Sequence, residues 1–457
     1  MPVPAEAPVQ ATVVVVNWNG AHLLGPCLRA LAAQRTAIRY QVWVVDNAST
    51  DDSICLLARD FPAVRVLRNP DNRGFAGGNN TALRQVTSPY AVLLNNDATP
   101  EPDWLERVLA PFDAPGAERL AAVSSKVVFA PRFLRLSLAT EGFSPGPHDP
   151  RQLGLRIARV MVDDVDVTER VLWERLTYGP EGHGPARFRW TRPAGELLVP
   201  IDASQPDAGP RELRVRWMAE RPKDATLSLD GASTTFTVAA EMAEATLTVP
   251  AGAPLVDVVN NVGSLVLTTG YGADRGFQDI DTGQYDDARE VFAMCGCAVA
   301  LRTEAGREAD WFDDDFVLYY EDTDLSWRLR LLGWTIRYEP SAVVRHLHAA
   351  TSVEWSPRFV FHTDRNRLLM LVKDASARRA VREVLRYPLT TASIAVRAVR
   401  QGVSDGRRPA VRPTLSRLKV LASFMQLLLP MMRRRGEVGR RAVVARRSLE
   451  SWLVESR

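Results

Sequence analysis

Four strand-like runs between residues 12 and 100, each closed by polar residues and followed by a turn or helix-like stretch, restrict the N-terminal part of this chain to an α/β architecture. Thr12 to Val16 is a β-branched run that ends at Asn17-Trp18-Asn19-Gly20, and a helical pattern follows from Leu23 to Ala33. Gln41 to Val45 ends at Asp46-Asn47-Ala48-Ser49-Thr50-Asp51-Asp52 and is again followed by a helical stretch. Val64 to Leu67 leads into the Gly-rich turn Asn72 to Asn80, and Tyr90 to Leu94 ends at Asn95-Asn96-Asp97. Thr99, Pro100 and Pro102 predict one more helix, with Thr as cap and Pro in its first turn. The βαβαβ order implies a parallel sheet with right-handed crossovers. Its ligand edge lies at the carboxyl ends of the strands. Asn17, Asp46 and the Asn95–Asp97 group are therefore expected to converge. The Gly-rich turn is neither a GxGxxG nor a Walker A loop, and it reads equally as a phosphate neighbour or as a tight strand-to-helix turn.

A second informative stretch runs from Trp311 to His348. Glu321-Asp322-Thr323-Asp324 opens an expected amphipathic helix in which Leu325, Leu329 and Leu332 recur, with Gly333 at the C-terminal cap position. A strand from Trp334 to Tyr338 then leads to His346 and His348. Carboxylates at a helix start, returning to imidazoles further on, suit a working site. Acidic residues at that position also simply complement the helix dipole, so the segment alone supports both readings.

Length and composition narrow the class. The 457 residues suffice for two to three domains with real cores, and the four cysteines (Cys27, Cys55, Cys295, Cys297) form no disulfide framework. Cys295-Gly-Cys297 lacks the partner cluster of a zinc site, and a reduced, cytoplasmic setting is expected. From Arg378 onward there are 19 Lys/Arg against 5 Asp/Glu, a surplus of 14; with the whole chain at +3, the remainder carries −11. Such a tail predicts an anionic partner surface. Neither a signal peptide nor an apolar run of about 20 residues is expected, which points to a soluble or peripheral protein.

With these residues in hand a resemblance becomes visible. VVVVNWNG, VVDNASTDDS, NRGFAGGNN, LLNNDATPEPDWL, YYEDTDLSWRLRLLGW and AVVRHLHAATS occur in an order that resembles the inverting family 2 glycosyltransferases of GT-A fold. The bacterial rhamnosyltransferase and galactofuranosyltransferase branch is the most similar. The resemblance covers residues 12–130 and about 260–370. It implies that Asn17, Asp46 and Asn47 contact the nucleotide of an activated sugar, that the Arg73–Asn79 loop lies near this donor, and that Asn95, Asn96 and Asp97 occupy the place of the family's DxD motif. Because Asn95 stands where the first acid is expected, Asp97 alone is the anionic ligand there for a divalent cation, Mg²⁺ or Mn²⁺. One carboxylate is compatible with Mg²⁺, which usually keeps several waters. His346 matches a histidine metal ligand of related transferases. Asp322 falls on the catalytic base, while Glu321, Asp324 and Gly296 fall beside the acceptor.

The expected architecture is an α/β GT-A (Rossmann-like) nucleotide-sugar domain interrupted by an all-β module. Boundaries are expected at 1–151 and 259–377 for the GT-A domain, 152–258 for a β-sandwich-like insertion, and 378–457 for a basic helical tail. Strands are predicted at 156–162, 188–191, 197–201, 213–218, 226–229, 235–238 and 245–249 of the insertion. Its Trp173, Tyr178, Trp190 and Trp217 are either stacking platforms for a glycan or core residues. In the tail, Leu418, Leu421, Phe424, Leu428 and Met432 share one face flanked by arginines, which predicts an in-plane amphipathic helix on an anionic membrane. No nucleic-acid module accompanies this charge, and no nucleic-acid partner is expected.

The combined expectation is an inverting hexosyltransferase of cell-wall or polysaccharide biosynthesis, cytoplasmic and peripheral on the inner face of the cell membrane. It would move rhamnosyl or galactofuranosyl from a nucleotide-diphosphate sugar to a lipid-linked or cell-envelope glycan. Two rival classes share parts of the pattern: a nucleotidyltransferase acting on sugar phosphates, and a non-catalytic glycan-binding protein.

Overall fold

The computed structural model describes residues 8–201, 209–347, 356–404, 406 and 408–455. The chain forms two compact units: residues 1–130, 259–277 and 282–457 make the first, and residues 131–258 with 278–281 make the second.

The first unit is built on a ten-stranded mixed sheet. Its strands are β1 (Ala11–Asn17), β2 (Tyr40–Asp46), β3 (Arg65–Arg68), β4 (Tyr90–Leu94), β5 (Ala98–Pro100), β6 (Leu120–Phe129), β7 (Val259–Asn261), β8 (Arg289–Glu290), β9 (Ala298–Arg302) and β10 (Thr335–His346). The order is β8-β10-β6-β9-β4-β1-β2-β3, with β5 beside β10 and β7 beside β6. β3, β2, β1 and β4 run parallel, as the βαβαβ pattern predicts. β9 pairs antiparallel with both β4 and β6. The central strands are buried on both faces, which explains their continuous apolar runs. The chain reverses its direction of travel across the sheet between β1 and β4, and open α/β sheets bind their ligands at such a point, here beyond Asn17 and Asn95.

The helices of this unit are α1 (Ala21–Ala32), α2 (Ser53–Asp60), α3 (Gly74–Leu83), α4 (Trp104–Leu109), α5 (Thr303–Glu308), α6 (Glu321–Leu331), α7 (Pro357–Asp374), α8 (Ala377–Ser404), α9 (Arg412–Arg441) and the short α10 (Arg446–Leu449). Two expectations change here. The Gly-rich turn is mostly helix: α3 starts at Gly74, and its glycines permit close packing on the sheet. A Cβ on Gly78 would meet Val16 Cγ1 at 2.8 Å and Asn47 Nδ2 at 2.7 Å. The helix predicted from Thr99 starts later, at Trp104, because residues 98–100 are used as β5 against β10.

The second unit is an antiparallel sandwich. One sheet contains residues 156–162, 165–166, 177–181, 188–191, 211–218 and 243–249; the other contains 132–140, 194–201, 223–229, 232–238 and 255–256. All seven predicted strands are present, most of them lengthened at one end. The insertion begins at Pro131 rather than near residue 152, because residues 132–140 pair along their length with 194–201. Both sheets line one core, in which Trp173 and Trp217 are buried. Those two tryptophans are therefore core residues, whereas Tyr178 and Trp190 are half-buried.

The basic tail is not a separate domain. α7, α8 and α9 pack together within the first unit. The expected apolar face of α9 is divided between two surroundings: Phe424 is buried in a cluster with Leu421 and Leu428 against it, while Leu418 and Met432 are exposed. Leu415, Met425 and Leu429 continue that exposed row, and α8 exposes Val381, Leu385, Leu389, Val396, Val399 and Val403. Among the described residues, Arg412–Arg441 is the one helix long and apolar enough, by length and composition, to cross a membrane. Here its inner face, with Val420, Phe424 and Met431, is packed against the protein.

The observed class is thus an α/β domain on a mixed sheet, with an extra β module and C-terminal helices.

Candidate active site

The polar ends of the parallel strands do converge. Asn96 Nδ2 donates to Asn17 Oδ1 at 2.9 Å, and Asn17 Nδ2 donates to Ser53 Oγ at 2.9 Å and Ser49 Oγ at 3.2 Å. Gly20 makes this pairing possible, since a Cβ there would lie 2.5 Å from Asn96 Nδ2. Asn17 is wholly buried, and both ends of its amide are used within the protein. Asn47 is also occupied, donating to Gly74 O at 2.9 Å and accepting from Asn69 Nδ2 at 2.7 Å. These asparagines shape the crevice more than they line it.

Asp46 differs from them. Its Oδ2 accepts from Ser49 N at 3.2 Å, while its Oδ1 is buried without a hydrogen-bond partner among the described residues. A buried acceptor left open is costly unless a ligand donates to it. Arg73 is exposed beside Asp71, and Asn79 donates back to Phe75 O at 2.9 Å inside α3. Asn95 is held by its backbone, with its N–H on Cys297 O at 2.8 Å.

Asp97 and His346 come together although 249 positions separate them in the chain. His346 Nε2 lies 3.2 Å from Asp97 Oδ1, and both residues are buried. β10 supplies the geometry, because His346 is paired with Ala98 across β5 and Leu347 N donates to Asp97 O at 3.0 Å. His346 Nδ1 stands 3.1 Å from Asn260 Oδ1. With Nδ1–H donating to that oxygen, Nε2 turns its lone pair toward the carboxylate, as metal-binding histidines are held by an outer hydrogen bond. Two ligand atoms about 3 Å apart suit neighbouring positions on one small divalent ion. Among the described residues no group of three or more His, Cys, Asp or Glu gathers to hold a metal, so phosphate oxygens and waters would have to complete any such shell. Asn260 was missed in the sequence because it lies at the return from the insertion, far from every motif. His348 lies outside the described residues.

On the other side of β9, Asp322 sits at the first turn of α6. Its Oδ2 accepts from Gly296 N at 3.0 Å, and its Oδ1 accepts from Thr323 N at 2.6 Å. A Cβ on Gly296 would meet Asp322 Oδ2 and the Phe75 ring, each at 3.3 Å. Gly296, Phe75 and Asp322 therefore form one contact group. Burial raises the Asp322 pKa above the ordinary carboxylate value, with the Gly296 and Thr323 hydrogen bonds opposing it. Glu321 is pushed up further, first by burial and then by the adjacent Asp322 charge; its Oε2 has no hydrogen-bond partner among the described residues.

Asp324 points elsewhere. It is fully buried and pairs with Arg328 at 2.9 Å and Lys373 at 2.7 Å. Lys373 also holds Asp313 at 2.5 Å, and Arg434 of α9 reaches Asp313 and Asp315. This placement makes Asp324 a brace between α6 and α7 rather than a partner for an acceptor.

Residues 12–142 match the model of the family described as "Glycosyl transferase family 2". Among curated proteins, the chain is 32% identical over 108 residues to the succinoglycan biosynthesis protein ExoO of Rhizobium meliloti, covering 23% of this chain and 31% of that one. It is 28% identical over 112 residues to glycosyltransferase AglE of Haloferax volcanii, covering 23% and 36%. It is 30% identical over 175 residues to the pre-mycofactocin glycosyltransferase of Mycobacterium tuberculosis, covering 35% and 32%. The chain thus spans about a third of the length of these relatives. Among solved structures, GalNAc-T7 with UDP, GalNAc and Mn²⁺ superposes at a TM-score of 0.44 with 10% identity, over 81% of this chain and 48% of that one. The mannosyltransferase PcManGT of Pyrobaculum calidifontis, in complex with GDP-Man and Mn²⁺, gives 0.39 and 13%, over 92% and 87%.

Proposed function

We propose that this chain is an inverting glycosyltransferase using a nucleotide-diphosphate sugar, with Asp322 as general base. The observation that carries the proposal is the Asp322 carboxylate, fixed by Gly296 N–H and Thr323 N–H beside Phe75 of the donor-side helix. A single positioned carboxylate is what direct displacement needs: it takes the acceptor hydroxyl proton while that oxygen bonds to the anomeric carbon and the diphosphate departs with the bonding electrons. Burial of Asp322 raises its basicity toward that task. Asp46 would accept from the nucleotide of the donor through Oδ1, which has no hydrogen-bond partner among the described residues. Asp97 and His346 would hold a divalent cation, Mg²⁺ or Mn²⁺, whose charge would neutralise the leaving diphosphate.

Rhamnosyl is our first choice of sugar and galactofuranosyl our second, both from the resemblance of the sequence motifs. The acceptor is a lipid-linked or cell-envelope glycan, met at the cytoplasmic face of an anionic membrane. What supports this location is the exposed apolar row on each of α8 and α9, accompanied by exposed Arg382, Arg386, Arg400, Lys419 and Arg433.

The test is a panel of nucleotide-sugars with Mn²⁺ or Mg²⁺, offered lipid-linked and free acceptors. Release of a nucleoside diphosphate supports transfer. Release of pyrophosphate would instead assign a nucleotidyltransferase, and turnover of free sugars as fast as lipid-linked ones would remove the membrane acceptor.

A further inference from the structure

The segment that delivers Asp322 is conformationally expensive. Val317, Tyr319 and Tyr320 have φ of 62°, 66° and 71°, and none of them is glycine. Positive φ is unfavourable for residues that carry a Cβ and persists only where the surroundings impose it; Val317, with ψ of −60°, centres a γ-turn closed by Leu318 N on Phe316 O at 2.6 Å. For β-branched Val317 the penalty is especially severe. α6 begins directly after Tyr320, whose carbonyl accepts Asp324 N at 2.8 Å. The backbone angles of this turn therefore set where the first turn of α6, and Asp322 with it, is aimed.

One side chain stands at the centre of the turn. Asn366 of α7 is fully buried, and its Nδ2 lies 2.8 Å from Phe316 O, 2.9 Å from Leu318 O and 2.7 Å from Tyr319 O. The neighbouring Arg365 Nη2 adds Asp315 O at 2.8 Å. From the opposite side, Phe75 N of α3 donates to Val317 O at 2.7 Å, so the same turn also meets the helix that carries the Gly-rich motif. The two hydrogens of a neutral NH₂ group are shared among these three converging carbonyls without bringing in a charge. An aspartate would oppose them with lone pairs, and an alanine would take the side-chain donor away from Leu318 O and Tyr319 O, while Phe316 O keeps Leu318 N.

We propose that Asn366 is the positioning residue for Asp322: by gathering the carbonyls of Phe316, Leu318 and Tyr319 it imposes the positive-φ turn that aims the carboxylate at Gly296. Its catalytic consequence rests on the function proposed above, but its structural consequence does not.

The experiment compares full-length wild type with Asn366→Ala and Asn366→Asp in two readouts. In hydrogen–deuterium exchange, the variants should exchange faster in peptides covering 313–323 and at Gly296, with other segments close to wild type, whatever fall in melting temperature accompanies the lost hydrogen bonds. In release of nucleoside diphosphate from the nucleotide-sugar that wild type turns over best, kcat should fall about 100-fold, as expected for a base misplaced by about 1 Å, while the donor KM stays within about twofold. Unchanged exchange over 313–323 would overturn the proposal. So would a loss shared between kcat and KM in step with a general loss of protection. If Asn366→Ala does not fold, Asn366→Ser, which keeps one donor, takes its place in both readouts. Absence of turnover by wild type with every donor would count against the glycosyltransferase reading, and the exchange data would still decide the role of Asn366.

Discussion

Gly296 N donates to Asp322 Oδ2 at 3.0 Å, joining the small-residue segment before β9 to the start of α6. This bond orients the carboxylate, and the absence of a side chain at 296 leaves the space in front of it. A Cβ there would press on both Asp322 and Phe75. Asp322→Asn keeps the shape and removes the carboxylate proposed as the base. Transfer should fall about 1,000-fold, within the usual range for a general base, with nucleotide binding by calorimetry unchanged.

The raised pKa of Asp322 sets the pH response. A general base must be ionised to act, so on the proposed role of Asp322 kcat/KM should rise with pH through a value above the ordinary aspartate value of about 3.9 and then level off. A pH–rate profile checks this, and an acidic limb at the ordinary value would contradict the buried base.

Glu321 makes a separate prediction about stability. Burial and the Asp322 charge raise its folded-state pKa well above the unfolded value of about 4.3. Its contribution to stability is then full below the unfolded value and is lost as pH rises toward the folded one. Glu321→Gln, which cannot ionise, should match wild type in melting temperature near pH 4 and exceed it increasingly as pH rises. A constant difference across pH would place the ionisation elsewhere.

His346 Nε2 and Asp97 Oδ1, 3.2 Å apart, predict a metal response. Asp97→Asn and His346→Ala should each abolish Mn²⁺-dependent stabilisation of the protein with nucleoside diphosphate. Asn260→Ala, which removes only the outer partner of His346, should weaken apparent Mn²⁺ affinity by about 10- to 100-fold. Fluorescence-monitored melting across a Mn²⁺ series measures both.

The exposed rows on α8 and α9 predict binding to vesicles containing phosphatidylglycerol and little binding to phosphatidylcholine alone. Each buried leucine contributes about 1.5–3 kcal/mol, so Leu385→Ser and Leu429→Ser should each reduce partitioning by about tenfold or more without shifting the melting temperature. A change from dimer to monomer instead, without loss of vesicle binding, would assign these rows to self-association.

Much of this protein can be read directly from its residues. The β-branched runs at 12–16, 41–45 and 90–94 are dictated by local preference and by burial on both sheet faces, which is why their order and direction could be derived. The α6 segment and its Gly333 stop follow from equally local rules. The sequence also presents the chemistry to be placed: Asp46, Asp97, Asp322 and His346.

Only the tertiary structure decided how those groups are used. Asp322 and Asp324 are two positions apart on one helix and therefore point about 200° from each other, so one faces Gly296 and the other enters the Lys373 brace. Local sequence cannot say which, because the answer depends on what packs on each side of α6. The same holds for Asn17, whose amide is consumed by Ser49, Ser53 and Asn96, and for the Gly-rich motif, which became a helix docked on the turn before Asp322. His346 reached Asp97, and Asn366 reached the turn at 316–319, only through contacts between segments far apart in the chain. Contacts of that range leave no periodic mark in a sequence, since each partner satisfies its own local rules whether or not the other is present.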